Sequence, residues 1–267
     1  MEIVAHAQGP LAFEQHGEGL PFILLHGFPL HGGIWDPIRP ALVQVCRLIT
    51  PDLRGFGESP AGDGGCVMAD LAADVLALAD SLGIERFVIG GHSMGGYVAL
   101  AVAAAAPAKI AGLALLASRA GADDDAARDL RRAVGERLAA EGSGPWLDEF
   151  LPGMFGPTTL ARAPRLLAEV RAMADRVSTR VLMAAQAGMA ERPDHAAVLA
   201  SLTVPVLILG GAEDALIPAL EIERDKRTAQ HGRTVLIASA GHLPMLERPI
   251  ATAEALAGFV RTIGPGA

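Results

Sequence analysis

Short apolar runs alternate along the chain with stretches in which apolar residues recur every three or four positions. The continuous apolar runs at 21–25, 110–116 and 204–209 are typical of strands that are buried on both faces. Residues 67–82 and 94–106 follow a helical pattern between such runs. This alternation predicts an α/β fold: a mostly parallel, doubly wound sheet of about eight strands with helices on both sides.

The pattern changes between residues 119 and 195. Charged helical segments replace the strands there, and breaks such as Gly142 and Pro157 separate them. Strand pattern returns only after this region. We therefore predict a core made of residues 1–118 and 196–267, and a helical cap inserted at 119–195.

Composition narrows the partners that the protein can have. The 267 residues suit one domain with an insertion, and the net charge of −8 argues against nucleic acid or an anionic membrane as the main partner. Two cysteines do not make a disulfide framework. The first residues lack a signal-peptide pattern, and no apolar run approaches membrane-spanning length. We expect a cytoplasmic protein, and a homo-oligomer is compatible with this sequence.

The first chemical signal is an isolated serine between two pairs of glycines. An apolar run ends at Gly90-Gly91, Ser93 follows, and an alanine-rich helical pattern begins after Gly95. This order predicts a strand, a sharp turn and a helix, with the Ser93 hydroxyl exposed at the apex. A glycine-rich connector whose serine only caps the helix is the alternative that this segment leaves open.

Further chemistry-bearing residues follow the predicted strands. Glu213 and Asp214 come after the run that ends near 209, and His242 follows a later strand. Functional groups in open α/β sheets gather at the carboxyl ends of the strands. A serine nucleophile needs a base, and the base needs an acid that fixes its tautomer. Ser93, His242 and one of the two acids supply these roles.

Together these segments resemble the α/β-hydrolase fold family, in its serine esterase-like branch with a small cap. They are also similar to enol-lactonases and cofactor-free haloperoxidases. The resemblance covers nearly the whole chain outside 119–195. The motifs that carry it are His26-Gly27-Phe28-Pro29, the segment from Asp52 to Ser59, the serine turn, the acid after the seventh strand, and Gly241-His242.

The resemblance implies several roles. It places the acid at Asp214 rather than Glu213, and it implies an oxyanion hole formed by the backbone N–H groups of Phe28 and Met94. Two donors there would stabilise the negative charge that forms on a carbonyl oxygen under attack. His26 and His92 are expected to brace their loops, as are Asp52 and Arg54, and the acidic run at 123–125 is expected to begin a helix.

The residue at the apex of the turn, serine rather than aspartate, indicates which reactions the protein can catalyse. Serine, where some relatives carry aspartate, argues against haloalkane dehalogenase and epoxide hydrolase chemistry. We therefore predict a serine hydrolase that cleaves carboxylic esters of small or medium size through an acyl-enzyme, with no metal or cofactor. An enol-lactonase, a C–C bond hydrolase, a perhydrolase side activity and a non-catalytic ligand receptor of the same fold remain alternatives.

An apolar pocket for a small ester or lactone should lie beside the serine. Packing of the cap aromatics on the core is the alternative role for those side chains. The candidate lining residues are Trp35, Trp146, Phe150, Met154, Leu216, Ile217 and Leu243.

Overall fold

The computed structural model describes residues 1–6, 9–62 and 65–264. Residues 7, 8, 63, 64 and 265–267, which fall inside the predicted core ranges, lie outside the described residues.

A single eight-stranded sheet organises the described chain. Its spatial order is β1-β2-β4-β3-β5-β6-β7-β8. The first two strands run antiparallel to their neighbours, and all other pairs are parallel. The predicted fold class is therefore confirmed. The strands are β1 Glu2–His6, β2 Gly9–His16, β3 Pro21–Leu25, β4 Arg47–Pro51, β5 Phe87–His92, β6 Ile110–Leu116, β7 Val206–Gly211 and β8 Gly232–Ile237.

Burial on both faces of the sheet explains the continuous apolar runs. Every residue of β5, β6 and β7 is buried, because helices cover both faces of the sheet. The edge strand β8 is only partly buried. Side chains from both faces and from the covering helices join one continuous apolar core.

Helices fill both faces and the long connection between β6 and β7. In the ranges that the structure describes, every helix is too short or too polar to cross a lipid bilayer. The helices are α1 Arg39–Leu42, α2 Met68–Ser81, α3 Met94–Ala105, α4 Asp125–Glu141, α5 Ser143–Phe150, α6 Pro157–Arg162, α7 Arg165–Ala174, α8 Thr179–Ala190, α9 Ala196–Ser201, α10 Ala219–Thr228, α11 Pro244–Glu247 and α12 Pro249–Ile263.

The helices between β6 and β7 that lie within residues 119–195, α4 to α8, are called the cap helices below. Two of these helices, α6 and α7, are separate because Pro164 interrupts the hydrogen-bond ladder between them. Within this group α4 packs against α8. The connection that contains them leaves the sheet after β6, next to the strand that carries the serine turn.

The parallel direction of the strands decides where functional groups meet. The carboxyl ends of β3, β5, β6 and β7 all point to the same edge of the sheet. The loops that follow them carry Phe28, Ser93, Arg119 and Asp214. These residues, although far apart in sequence, are therefore brought to one side of the molecule.

Candidate active site

Ser93 occupies a sharp turn between β5 and α3. Its backbone has φ 50° and ψ −114°, a conformation that L-residues rarely adopt. The Ser93 N–H donates to the Leu116 carbonyl at 2.9 Å, and the Ser93 carbonyl accepts from the Ser118 hydroxyl at 2.8 Å. A Cβ on Gly91 would lie 2.1 Å from the Gly95 backbone, so only glycine lets the strand and helix approach this closely. The neighbouring strand thus holds the turn from both sides.

Asp214 and His242 form a buried pair. The Oδ2 of Asp214 accepts a hydrogen bond from Nδ1 of His242 at 2.8 Å, and both side chains are almost fully buried. The Oδ1 of Asp214 accepts the N–H groups of Leu216 and Ile217 at 2.8 and 3.0 Å. Because both oxygens are fixed, the carboxylate holds the imidazole with the proton on Nδ1. The ring nitrogen left to accept a proton is Nε2.

Ser93 and His242 line the same cavity, which has a volume of about 590 Å³. The hydroxyl-bearing residue and the imidazole therefore face one solvent-accessible space between the sheet edge and the cap helices. That volume is typical of a pocket for a small organic molecule.

Glu213, the alternative acid, points elsewhere. Its carboxylate accepts the Thr158 hydroxyl at 2.5 Å and the Thr158 N–H at 3.0 Å. These two hydrogen bonds lower the pKa of the Glu213 carboxyl. Adjacent acids thus have separate contacts: Asp214 binds the imidazole, and Glu213 binds the N-terminal turn of α6.

A buried carboxylate that the sequence analysis missed orders the histidine loop. One oxygen of Glu247 accepts the N–H groups of Gly241 and Leu243 at 2.9 and 3.0 Å, and the other accepts the Gly156 N–H at 2.9 Å. Glu247 therefore fixes the backbone on both sides of His242 and ties it to the cap. Its only sequence signal is an acid five residues after the histidine, which is too common a spacing to interpret.

Two backbone donors flank the serine. Met94 is the first residue of α3, so its N–H has no acceptor within the helix. Phe28 lies in the loop after β3 and lines the cavity. Within the described ranges, neither N–H donates a hydrogen bond to another group. Neither N–H is therefore occupied by a protein acceptor in the described structure.

His92 connects the serine turn to the catalytic-histidine candidate. Its Nε2 lies 2.7 Å from the His242 carbonyl oxygen, so Nε2 carries the proton. Its Nδ1 would lie 2.3 Å from a Cβ on Gly27 and has no partner among the described residues. Burial, with the nearby His242, lowers the pKa of His92 well below its usual value. His92 is thus a neutral brace between the Phe28 loop and His242.

The other bracing residues have equally fixed contacts. His26 Nε2 accepts the Leu53 N–H at 2.9 Å, and burial lowers the pKa of this imidazole to about 4. Asp52 accepts the N–H groups of Gly32 and Glu58 at 2.7 and 2.9 Å. Arg54 pairs with buried Asp74 at 2.5 Å. None of these groups belongs to the lining of the cavity.

Four of the predicted pocket residues line the cavity: Trp146, Phe150, Leu216 and Ile217. Phe28 joins Trp146 and Phe150 in an aromatic group, with ring centroids 5.9 and 6.3 Å from that of Phe28. The rings of Trp146 and Phe150 stack at 4.5 Å. These side chains both pack the cap on the core and form a wall of the cavity.

The other three predicted pocket residues are corrected by the structure. Trp35, Met154 and Leu243 are fully buried and do not line the cavity. Trp35 ends a short 3₁₀ turn inside the core. The backbones of the other two serve the histidine loop, since Met154 accepts the His242 N–H and Leu243 donates to Glu247. The apolar character of these three residues predicted that they are buried, but it did not predict whether they face the core or the cavity.

Polar residues that the sequence analysis did not select line another side of the cavity. We call Arg119, Asp123, Arg131 and Gln186 the polar wall. Asp123 was expected only to begin a helix, and Asp124 has that role instead, since it accepts the Ala127 N–H at 2.8 Å. Asp123 is buried among arginines. Because residues 119–124 precede α4, helical spacing did not mark this grouping in the sequence.

Comparisons with known proteins agree with this architecture. A family model described as the alpha/beta hydrolase fold matches residues 21–249. A pimeloyl-[acyl-carrier protein] methyl ester esterase from Xanthomonas campestris pv. campestris is 31% identical over 92% of this chain and 97% of its own length.

Solved structures give the same result. An esterase from Thermogutta terrifontis, solved with malate bound, is 38% identical with a TM-score of 0.93, over 98% of this chain and 99% of that one. An enol-lactonase from Burkholderia xenovorans LB400 is 25% identical with a TM-score of 0.89, over 97% and 100% of the two chains.

The names of these relatives describe esterases and hydrolases, which supports the predicted class of enzyme, a carboxylic ester hydrolase. The family model covers most of the chain, and the eight-stranded sheet has the corresponding architecture. The chain belongs to the α/β hydrolase fold family.

Proposed function

We propose that the protein hydrolyses carboxylic esters of small or medium size with Ser93, His242 and Asp214 as its catalytic triad. The observation that carries the proposal is the buried 2.8 Å bond from His242 to Asp214 beside a cavity that Ser93 also lines. The carboxylate leaves the imidazole with a basic Nε2, which is what a serine nucleophile requires.

The reaction proceeds in two steps. Nε2 of His242 takes the Ser93 proton while Oγ bonds to the ester carbonyl carbon, and the proton then passes to the departing alcohol as the C–O bond breaks. Water, deprotonated by the same nitrogen, attacks the acyl-enzyme, and the acid leaves as Ser93 regains its proton. Asp214 stabilises the imidazolium that forms in each step.

The N–H groups of Phe28 and Met94 are proposed to bind the oxyanion. Their lack of other acceptors in the described chain supports this role. Removing one such donor costs about 10²–10³-fold in kcat in serine hydrolases. We further propose that residues 119–195 act as the cap of the site, because Trp146 and Phe150 of this region form part of the cavity wall.

The serine is tested by substitution and by labelling. Ser93→Ala should lower kcat for p-nitrophenyl acetate by at least about 10⁴-fold, because no other nucleophile replaces the hydroxyl. An organophosphonate should modify wild-type protein at residue 93, as located by mass spectrometry. Ser201→Ala, at the end of α9 and away from the cavity lining, is the matched control. Equal rates for Ser93→Ala and wild type would refute the serine mechanism.

Lactone cleavage is the second candidate for the same triad. The similarity to an enol-lactonase favours it, since an enol-lactone is also an activated ester. A panel of acetyl to butyryl esters, long-chain esters, enol-lactones and dienol ketones distinguishes these reactions by kcat/KM. We expect short and medium esters to give the highest values. Higher values for long-chain esters would contradict the proposed substrate size.

A further inference from the structure

The polar wall contains more positive than negative charge. Asp123 is the shared partner of three guanidinium groups: Arg119 at 2.7 Å, Arg131 at 2.5 Å and Arg192 at 2.8 Å. Burial alone would raise the pKa of Asp123, but the hydrogen bonds and charges of Arg131 and Arg192 hold it below its usual value. The polar wall itself therefore has a formal charge of +1, and the cluster around Asp123 reaches +2 only with Arg192, which does not line the cavity.

The groups of the polar wall that have no hydrogen-bond partner in the described chain are mostly donors. Within the described residues, Arg119 uses only Nη2, and its buried Nε has no partner. Arg131 uses Nε and Nη1, the latter toward the Gln186 oxygen at 3.0 Å. The remaining groups of these side chains, including the Gln186 amide nitrogen, are all donors. An acceptor-rich ligand group is the complement of such a surface.

Nearby acids offset part of this charge, since Glu221 and Asp225 both interact electrostatically with Arg119, but the acids described here form their hydrogen bonds elsewhere. Glu149 also lines the cavity, but it is bound to Arg137 by two hydrogen bonds of 2.6 Å. Asp225 accepts the N–H of Ala120, and burial raises the pKa of its carboxyl to about 6. Neither acid bonds to Arg119 or Arg131 in the described structure.

The wall lies close to the proposed nucleophile. Ser118, whose hydroxyl binds the Ser93 carbonyl, directly precedes Arg119. Tyr97, one helical turn after Ser93, lines the cavity, and the Arg192 guanidinium lies 4.0 Å from the centre of its ring. Ser93 and the polar wall therefore line one cavity, which a single ligand can occupy. Apolar side chains such as Leu130 and Ile217 line other parts of this space.

We propose that the preferred substrates are esters that carry a free carboxylate, which binds Arg119 and Arg131 while the ester group lies at Ser93. This inference rests on the proposed function. The carboxylate supplies the acceptor oxygens that the wall lacks, and planar guanidinium groups suit it geometrically. It can belong to the acid part, as in a monoester of a dicarboxylic acid, or to the alcohol part, as in an acylated hydroxy acid.

Substrate pairs with the same chain, one charged and one neutral, test the preference. Monomethyl adipate is compared with methyl hexanoate, and the acetate ester of hydroxyhexanoate with hexyl acetate. In each pair a methyl group replaces the carboxylate. We expect kcat/KM to favour the charged member of at least one pair by about 10-fold or more, as charge-assisted hydrogen bonds predict. The pair that shows the preference identifies the side of the ester that faces the wall.

Variants assign the preference to the wall. Arg119→Gln and Arg131→Gln should each reduce the charged-to-neutral ratio of kcat/KM by about 10-fold, while Arg131→Lys should retain part of it. Arg132→Gln is the matched control, because Arg132 lies on the same helix, is largely exposed and pairs with Asp129. Since both substrates of a pair are measured on one preparation, partial unfolding does not alter the ratio.

The outcomes separate this proposal from the proposed function. Hydrolysis of neutral esters with a ratio near one in wild type, or a ratio unchanged in Arg119→Gln and Arg131→Gln, overturns the carboxylate site and leaves the esterase intact. If no ester is hydrolysed, titration of Ser93→Ala with monomethyl adipate decides. A calorimetric binding signal in Ser93→Ala that is lost in the double variant Ser93→Ala/Arg131→Gln supports the site. A signal that is absent from Ser93→Ala, or unchanged in the double variant, overturns it.

Discussion

The sheet edge and the cap helices build their parts of the site by different means. At the sheet edge, main-chain hydrogen bonds fix the key residues: Ser93 is held by Leu116, and Asp214 by the N–H groups that follow it. On the cap side, charged side chains around Asp123 hold the polar wall together. Main-chain hydrogen bonds therefore position the proposed catalytic residues. The proposed selectivity depends instead on side chains, which single substitutions can change without altering those main-chain bonds.

The largest expected effect lies at the sheet edge. Asp214→Asn should lower kcat by about 10³–10⁴-fold, because an amide favours the wrong tautomer of His242. Glu213→Gln should leave kcat within about threefold of wild type, because the contacts of Glu213 go to Thr158 and not to the imidazole. Steady-state kinetics with p-nitrophenyl acetate measure both variants.

This pair of neighbouring acids is a strict control for the assignment. Both substitutions replace a carboxylate by an amide of the same shape, at consecutive positions. A comparable loss of kcat in Glu213→Gln would show that the acid acts through the loop as a whole and would contradict a specific Asp214–His242 contact.

The same contrast explains what could be predicted from sequence. The convergence of Ser93, Asp214 and His242 was predictable, because parallel strands place their carboxyl ends at one edge and glycine patterns mark the sharp turn. Periodicity also predicted helices rather than strands over 119–195, and α4 to α8 lie there. Once the strands are known to be parallel, residues that are far apart in sequence can be predicted to lie close together at one edge of the sheet.

The cap side of the cavity was much harder to predict. Trp35, Met154 and Leu243 have the apolar character of pocket residues but point into the core. Arg119 and Arg131 look like ordinary charged surface residues in sequence, and only their contact with Asp123 distinguishes them. Periodicity determines which face of a helix is buried. It does not determine how that helix is placed over the site.

Glycine substitutions sharpen the comparison by stability. A Cβ on Gly95, at the start of α3, would lie 2.5 Å from the His26 carbonyl oxygen, whereas one on Gly135, within the cap helix α4, meets nothing within 4 Å. Gly95→Ala should destabilise the protein by about 1–3 kcal/mol, since backbone must move. Gly135→Ala should stabilise it by about 0.5–1 kcal/mol, since the unfolded chain loses freedom.

Urea unfolding of the two variants measures these free energies. Gly135→Ala serves as the control for the substitution itself, because it introduces the same methyl group into a helix. Equal and small changes in both midpoints would mean that the sheet edge is less tightly packed than its backbone contacts indicate.

The smallest expected effect concerns an exposed ion pair between the two regions. Arg176, which follows α7, pairs with Glu58 in the loop after β4, and both side chains are about half exposed, at 50% and 52%. Exposed pairs contribute about 0–1 kcal/mol, because water and salt screen them. Arg176→Gln should therefore change the unfolding free energy by less than about 1 kcal/mol, and kcat should not change. A loss of activity in this variant would show that this exposed ion pair is needed to hold the cap helices over the site. The buried contacts of Glu247 and Asp123 predict that it is not needed.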